Sequence, residues 1–359
     1  MKKEKISIVI ISAILLAFGL LMIYSSSYVW SLFKFNSKYH YLIYQFIFLL
    51  LSLLLFKYVY KMDINFIKNN INKFLLIGVI LLILVLIPGV GVLRNGSRSW
   101  FSLGFIGFQP SELMKIILII FTAKYLEKYH SRINKIGETL VPLILIVGVV
   151  ILLIMLEPDF GSSMIIILTI LSMIFISGLK YKFFGYIGII GLIGITVIII
   201  IAPYRLQRIV SFLNPWSDPL GSGYQIIQSL YAIGPGGIFG HGLFKSVQKF
   251  FYLPEPQTDF IFAILCEELG FISGSFIIIL FILLFYNIYK ISIRKQDKFK
   301  KFLVFGIGSS VIIQTIMNLS VVVGLVPVTG VTLPFFSYGG SSLLVTMISI
   351  ALIVNVNKE

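Results

Sequence analysis

Thr258-Asp259 stands directly ahead of a long apolar run, after a lead stiffened by Pro254 and Pro256. A carboxylate held at the rim of a membrane cavity is partly desolvated, which raises its pKa toward a value useful to a general base. The same two residues also read as a helix cap, because a Thr or Asp before an apolar run satisfies free amide groups. Glu267 and Glu268 follow two turns later. Adjacent helical residues point ~100° apart, so at most one of them shares a face with Asp259. They also read as anchors to neighbouring helices.

Three further stretches carry chemistry. Glu112 and Lys115 lie three apart and can pair on one helix face, behind the helix start Gln109-Pro110-Ser111. Lys115 is a full turn inside an apolar span, where a cation needs a partner or water; snorkelling is the plainer alternative. Glu157-Pro158-Asp159 puts two carboxylates two residues apart, enough to help hold a hard divalent cation but also explained by a tight turn. Pro334-Phe335-Phe336-Ser337-Tyr338-Gly339-Gly340-Ser341-Ser342 precedes the last span. There, Gly-Gly allows close backbone approach and exposes helix N-terminal amides, a cradle for an oxyanion or phosphate or simply a helix start.

Positioning these groups falls to membrane helices. The chain is 58% apolar and 12% charged over 359 residues, with a mean hydropathy of +1.02. A soluble domain sits near ~25% charged. Unbroken runs such as 75–87 and 188–201 exclude a barrel, so the expected fold is an all-α polytopic membrane protein. We read about ten transmembrane helices, near 6–24, 41–60, 72–90, 111–129, 139–156, 162–179, 183–203, 259–289, 302–326 and 338–355. The eighth is too long to be all membrane, so its first turns stand at the outer interface or sink into a protein-lined cavity. Residues 1–359 read as a single integral-membrane domain, with no internal repeat. A large extracellular loop, about 204–258, lies between the seventh and eighth spans and carries Arg205, Arg208, Asp218, His241, Lys245, Lys249 and Glu255.

With a cytoplasmic N-terminus, twenty of the twenty-nine basic residues fall on the inner side and eight on the outer. That bias places both termini in the cytoplasm. The net charge of +15 then reports topology and inner-leaflet attraction, not nucleic-acid binding. One cysteine, Cys266, rules out an internal disulfide, and three scattered histidines argue against zinc. The basic lead and first apolar run read as a retained span rather than a removed signal peptide.

Taken in order, the motifs resemble the SEDS family (shape, elongation, division and sporulation). They are Asn95-Gly96-Ser97-Arg98, Gln109-Pro110-Ser111-Glu112, Pro203-Tyr204-Arg205 with Arg208, Leu213-Asn214-Pro215, 218–225, Leu253-Pro254-Glu255, 258–263 and Ser337–Ser342. Asn95-Gly96-Ser97-Arg98 and 328–334 are closer to the FtsW and SpoVE branches than to RodA. The resemblance implies a peptidoglycan glycosyltransferase of the bacterial cytoplasmic membrane that polymerises lipid II, a disaccharide-pentapeptide on undecaprenyl diphosphate, at the outer face. It implies a role in cell division, sporulation or cell shape. The implied partners are a class B penicillin-binding protein and other division or sporulation membrane proteins.

The family's essential aspartate falls on Asp259, the expected catalytic base, and its cavity glutamate and lysine on Glu112 and Lys115. With these, Arg94, Arg98, Asp159, Arg205, Arg208, Ser341 and Ser342 form the expected substrate-binding set, and a divalent cation (Mg or Mn) is the expected cofactor. At 157–162 the chain departs from the family's Gln-Pro-Asp-Leu-Gly-Thr: Glu157 replaces Gln and Ser162 replaces Thr. A lipid II flippase would need the same spans, cavity and cationic diphosphate site. It should, however, present polar groups through both leaflets, whereas these charges gather on the outer side. A non-catalytic scaffold is the third reading, and it would give Asp259, Glu112 and Lys115 no role beyond folding.

Overall fold

The computed structural model describes residues 2–94, 96–103, 106–189, 191 and 212–358. Helices α1 (Lys2–Phe35), α2 (His40–Lys61) and α3 (Ile64–Leu86) run up and down through short turns. Three strands, β1 (Val92–Arg94), β2 (Ser97–Leu103) and β3 (Ile106–Phe108), pair antiparallel in sequence order. Then follow α4 (Pro110–Tyr129), α5 (Ile136–Leu156) and α6 (Phe160–Ile176). After the residues outside the description come a short helix α7 (Tyr224–Ile233), then α8 (Ile261–Arg294), α9 (Lys298–Val322) and α10 (Gly340–Val356).

Length and hydropathy together make six of these helices long and apolar enough to cross a membrane: α1, α2, α3, α5, α8 and α9. Among the described residues the expected ten is not reached on that criterion, for three reasons. Helices α6 and α10 are apolar but only 17 residues long, and α4 carries Glu112, Lys115, Lys124, Glu127 and Lys128. Of the expected seventh span, 183–189 is helical, and most of its remainder lies outside the described residues, as does 204–211. The chain is a multi-pass membrane protein.

Helix α4 is the centre of the bundle. Every residue from Pro110 to Ala123 except Leu113 is buried, which is what a helix that is apolar nearly all round requires. It packs on α3, α6 and α9, while α10 lies along α2 and α8 along α1 and α9. Alternation of short connections brings the C-terminal ends of α1, α3, α5 and α9 and the N-terminal ends of α2, α4, α6, α8 and α10 to one end of the bundle, the site end. The three-stranded sheet lies there too. Its β1–β2 turn contains Gly96, and Ser97 and Arg98 begin the returning strand, so this part of the motif belongs to a hairpin; Asn95 lies outside the described residues.

Helix α8 breaks where the sequence asks for it. Gly270 sits at φ 73°, ψ −173°, a conformation that L side chains rarely adopt, and so divides 261–269 from the rest. The first eight residues of that leading piece are all buried. The excess length of the eighth span is thus enclosed by protein.

Candidate functional site

Asp259 lies two residues before α8, in a chain segment held by its backbone. Its carbonyl accepts a hydrogen bond from Asn318 Nδ2 at 2.7 Å, and the Gln257 carbonyl accepts one from Tyr338 N at 2.8 Å. Among the described residues Asp259 is not a cap: α8 has Phe260 at that position, with no side-chain cap bond. The carboxylate faces the 329–332 loop, since a Cβ built on Gly330 would lie 3.9 Å from Asp259 Oδ2. Part of its surface stays accessible, yet protein crowds closely around it. That desolvation first, and the nearby Glu255 charge second, push its pKa from the ordinary carboxylate value up to about 7.

The 329–332 loop gathers the rest of the site. Lys115 Nζ pairs with Glu112 Oε2 at 2.8 Å and donates to Gln314 Oε1 at 2.9 Å. Gln314 Nε2 in turn donates to the Thr332 carbonyl at 2.9 Å. The Thr332 hydroxyl meets Ser342 Oγ at 3.0 Å. Lys115 is only 4% exposed, so it is partnered, not snorkelling. Ser341 accepts from Gln109 N at 3.1 Å and donates to the Gly107 carbonyl at 3.2 Å, tying the start of α10 to β3 and α4. The α10 N-terminus has no side-chain cap.

The expected set therefore divides. Asp259, Glu112, Lys115, Ser342 and, through the start of α10, Ser341 meet around one loop. Asp159 is engaged differently. Its Oδ1 caps α6 by accepting from Ser162 N at 3.0 Å, and its Oδ2 accepts from Gln109 Nε2 at 3.0 Å and Ser111 Oγ at 2.8 Å. It pins the start of α6 to the start of α4. Gly161 beside it admits the loop closely, as a Cβ there would stand 2.7 Å from the Thr329 carbonyl. Arg98 lies against the end of α3, with Nη1 donating to the Leu86 carbonyl at 3.5 Å. Arg94 ends β1, and its side chain is not described; Arg205 and Arg208 lie outside the described residues.

Glu157 is fully buried, and neither carboxyl oxygen has a hydrogen-bond partner. Burial, with the Asp159 charge adding to it, pushes its pKa up to about 9. It is thus a neutral acid at ordinary pH, close in shape to the glutamine it replaces in the family pattern. Among the described residues no three His, Cys, Asp or Glu side chains come together as a metal cage.

Glu267 and Glu268 anchor the 244–249 segment, and Glu268 also reaches the neighbouring span α1, as the sequence reading of helix anchors expected. Glu268 pairs with Lys249 at 2.7 Å and accepts from Ser25 Oγ at 2.6 Å and Phe244 N at 3.0 Å. Glu267 accepts from Val247 N at 2.7 Å and from Ser246 Oγ at 2.5 Å. Sequence reasoning missed Gln314, Asn318 and the 329–332 loop as parts of the site. The available signal was two amide side chains four apart inside an apolar span, where polar groups are expensive.

This arrangement covers nearly the whole chain of a known family. The model for the cell cycle proteins FtsW, RodA and SpoVE matches residues 5–359. The chain belongs to that family. It is 46% identical over 351 residues to stage V sporulation protein E of Bacillus subtilis, covering 98% of this chain and 96% of that one. It is 42% identical over 355 residues to the probable peptidoglycan glycosyltransferase FtsW of Coxiella burnetii, covering 98% and 95%. Among solved structures it matches a chain of a peptidoglycan synthase complex described as coordinating polymerization and crosslinking. The TM-score is 0.81 at 30% identity, covering 97% of this chain and 96% of that one. Thermus thermophilus RodA, a rod shape determining protein, matches with a TM-score of 0.72 at 27% identity, covering 97% and 95%.

Proposed function

We propose that this family member is an inverting peptidoglycan glycosyltransferase that polymerises lipid II at the outer face of the cytoplasmic membrane, with Asp259 as general base. One observation carries the assignment: Asp259, its pKa near 7, faces the same loop that Gln314 links to Lys115 and that Thr332 links to Ser342. Asp259 removes the proton from the 4-hydroxyl of an incoming GlcNAc. That oxygen attacks the anomeric carbon of the lipid-linked MurNAc, and the bond from that carbon to the phosphate oxygen breaks. The departing diphosphate is drawn by Lys115, the free amides of the α10 N-terminus and the Ser341 and Ser342 hydroxyls. Arg94, Arg98, Arg205 and Arg208 are further candidates for the lipid diphosphate, with Asp159 holding the frame. A divalent cation (Mg or Mn), if bound, would be held by a site carboxylate such as Asp159 or Asp259 and would offset charge on the diphosphate.

The remaining assignments follow the family. They are ten spans with 183–203 as the seventh, one domain over 1–359, cytoplasmic termini, a division or sporulation role and a class B penicillin-binding protein as partner. A flippase reading is disfavoured by the distribution of charge. Among the described residues every buried Asp, Glu, Lys or Arg side chain except Glu4 lies at the site end.

The test is lipid II polymerisation by the purified protein, with and without its transpeptidase. Asp259→Asn keeps the shape, and loss of the base should lower the rate ~10²–10⁴-fold. A folded Asp259→Asn protein that elongates glycan at the normal rate overturns the assignment.

A further inference from the structure

Gln314 and Asn318 lie four apart on α9, hence on one face, and both are buried. Each amide has only one orientation that serves its partners. An ammonium can only donate and a carbonyl can only accept, so Gln314 must turn Oε1 to Lys115 and Nε2 to the Thr332 carbonyl. Asn318 must turn its NH2 group to the carbonyls of Asp259 and Val331, both at 2.7 Å. The two side chains thus grip consecutive residues of one loop, Val331 and Thr332. Beyond that loop, one reaches the site's cation and the other the backbone of its carboxylate.

We propose that Gln314 and Asn318 are positioning residues for the transfer reaction, a two-amide strut on α9 that fixes the separation between Asp259 and the Lys115 ammonium. This rests on the glycosyltransferase reading above. Neither amide is a proton-transfer group, and their effect is exerted through Asp259, Lys115 and the loop between them. A base and a cation that act on opposite ends of one bond change must be held at a fixed distance. A displacement of about 1 Å can lower the rate ~10²-fold. The strut supplies that rigidity from a helix, where the chain connection alone would leave Asp259 and the 329–332 loop to turns.

The two amides predict different kinetic signatures. Gln314→Glu keeps the shape but gives Lys115 a second carboxylate beside Glu112, neutralising the charge offered to a diphosphate. It should raise KM for lipid II roughly tenfold, with a smaller change in kcat. Asn318→Asp turns an acceptor toward two carbonyls and releases the Asp259 backbone. It should lower kcat at least ~10-fold and move the acid limb of the pH–rate profile, with KM nearly unchanged. Should Asn318→Asp not fold, Asn318→Leu removes the donor without adding charge and should lower kcat in the same way.

The assay is steady-state polymerisation by the full-length protein over a range of pH, with thermal unfolding of each variant measured alongside. Asp259→Asn serves as the control. If that control is inactive while the folded Gln314 and Asn318 variants keep normal kcat, KM and pH profile, the strut is purely structural and this inference fails alone. If the control polymerises normally, the glycosyltransferase assignment to Asp259 fails and the strut goes with it.

Discussion

Replacing Glu157 by glutamine should stabilise the protein, and more so as pH rises. Both carboxyl oxygens are buried without a partner, and the folded-state pKa is about 9 against an ordinary 4.5. Between those values the folded chain holds a proton that the unfolded chain has lost. Stability then falls as pH rises, fully present below the lower value and lost on the way to the upper one. Each pH unit in that window changes stability by ~1.4 kcal/mol, so pH 5 and pH 8 differ by ~4 kcal/mol from this side chain alone. A glutamine at this position has no proton to lose and nearly the same shape. The assay is thermal unfolding of wild type and Glu157→Gln in the same detergent at pH 5 and pH 8, with identical heating rates. The variant's advantage should be small at pH 5 and pronounced at pH 8. Comparing the two proteins cancels slopes from other groups, Asp259 included. Parallel pH dependences would refute the reasoning, because they would mean Glu157 is ionised and solvated in the folded protein.

Further outcomes follow from the same physics. With Asp259 titrating near 7, the polymerisation rate should fall about tenfold per pH unit on the acid side, where an ordinary carboxylate would leave it flat. Glu255→Gln removes a repelling charge, lowers that pKa and moves the acid limb to lower pH; an unmoved limb would detach Glu255 from Asp259. Lys249→Met strands the buried Glu268 carboxylate and should destabilise the protein by ~3–5 kcal/mol. Adding Glu268→Gln should recover much of that loss in thermal unfolding, and no recovery would mean that the pairing is not what holds the loop.

Sequence alone determined the class of molecule and offered the charged candidates for the site. Apolar runs as long as a bilayer is thick leave little choice but helices, because backbone groups in lipid must bond within their own segment. A carboxylate or ammonium inside such a chain announces itself by its rarity, which is why Asp259, Glu112 and Lys115 were legible. What the pattern of residues could not carry was which polar groups meet. Gln314 and Asn318 look like unremarkable members of an apolar span until α9 is packed against the loop before α10. Asp159 and Asp259 look alike as carboxylates at span ends, yet one caps α6 and binds Gln109 and Ser111, while the other is left facing the 329–332 loop. The hairpin at 92–103 was hidden for a related reason: strand pairing depends on a partner segment, and only the fold supplies it. Local sequence sets helix formation and the expense of burying charge, both short-range properties. Contacts across more than a hundred residues decide which of those charges share a site.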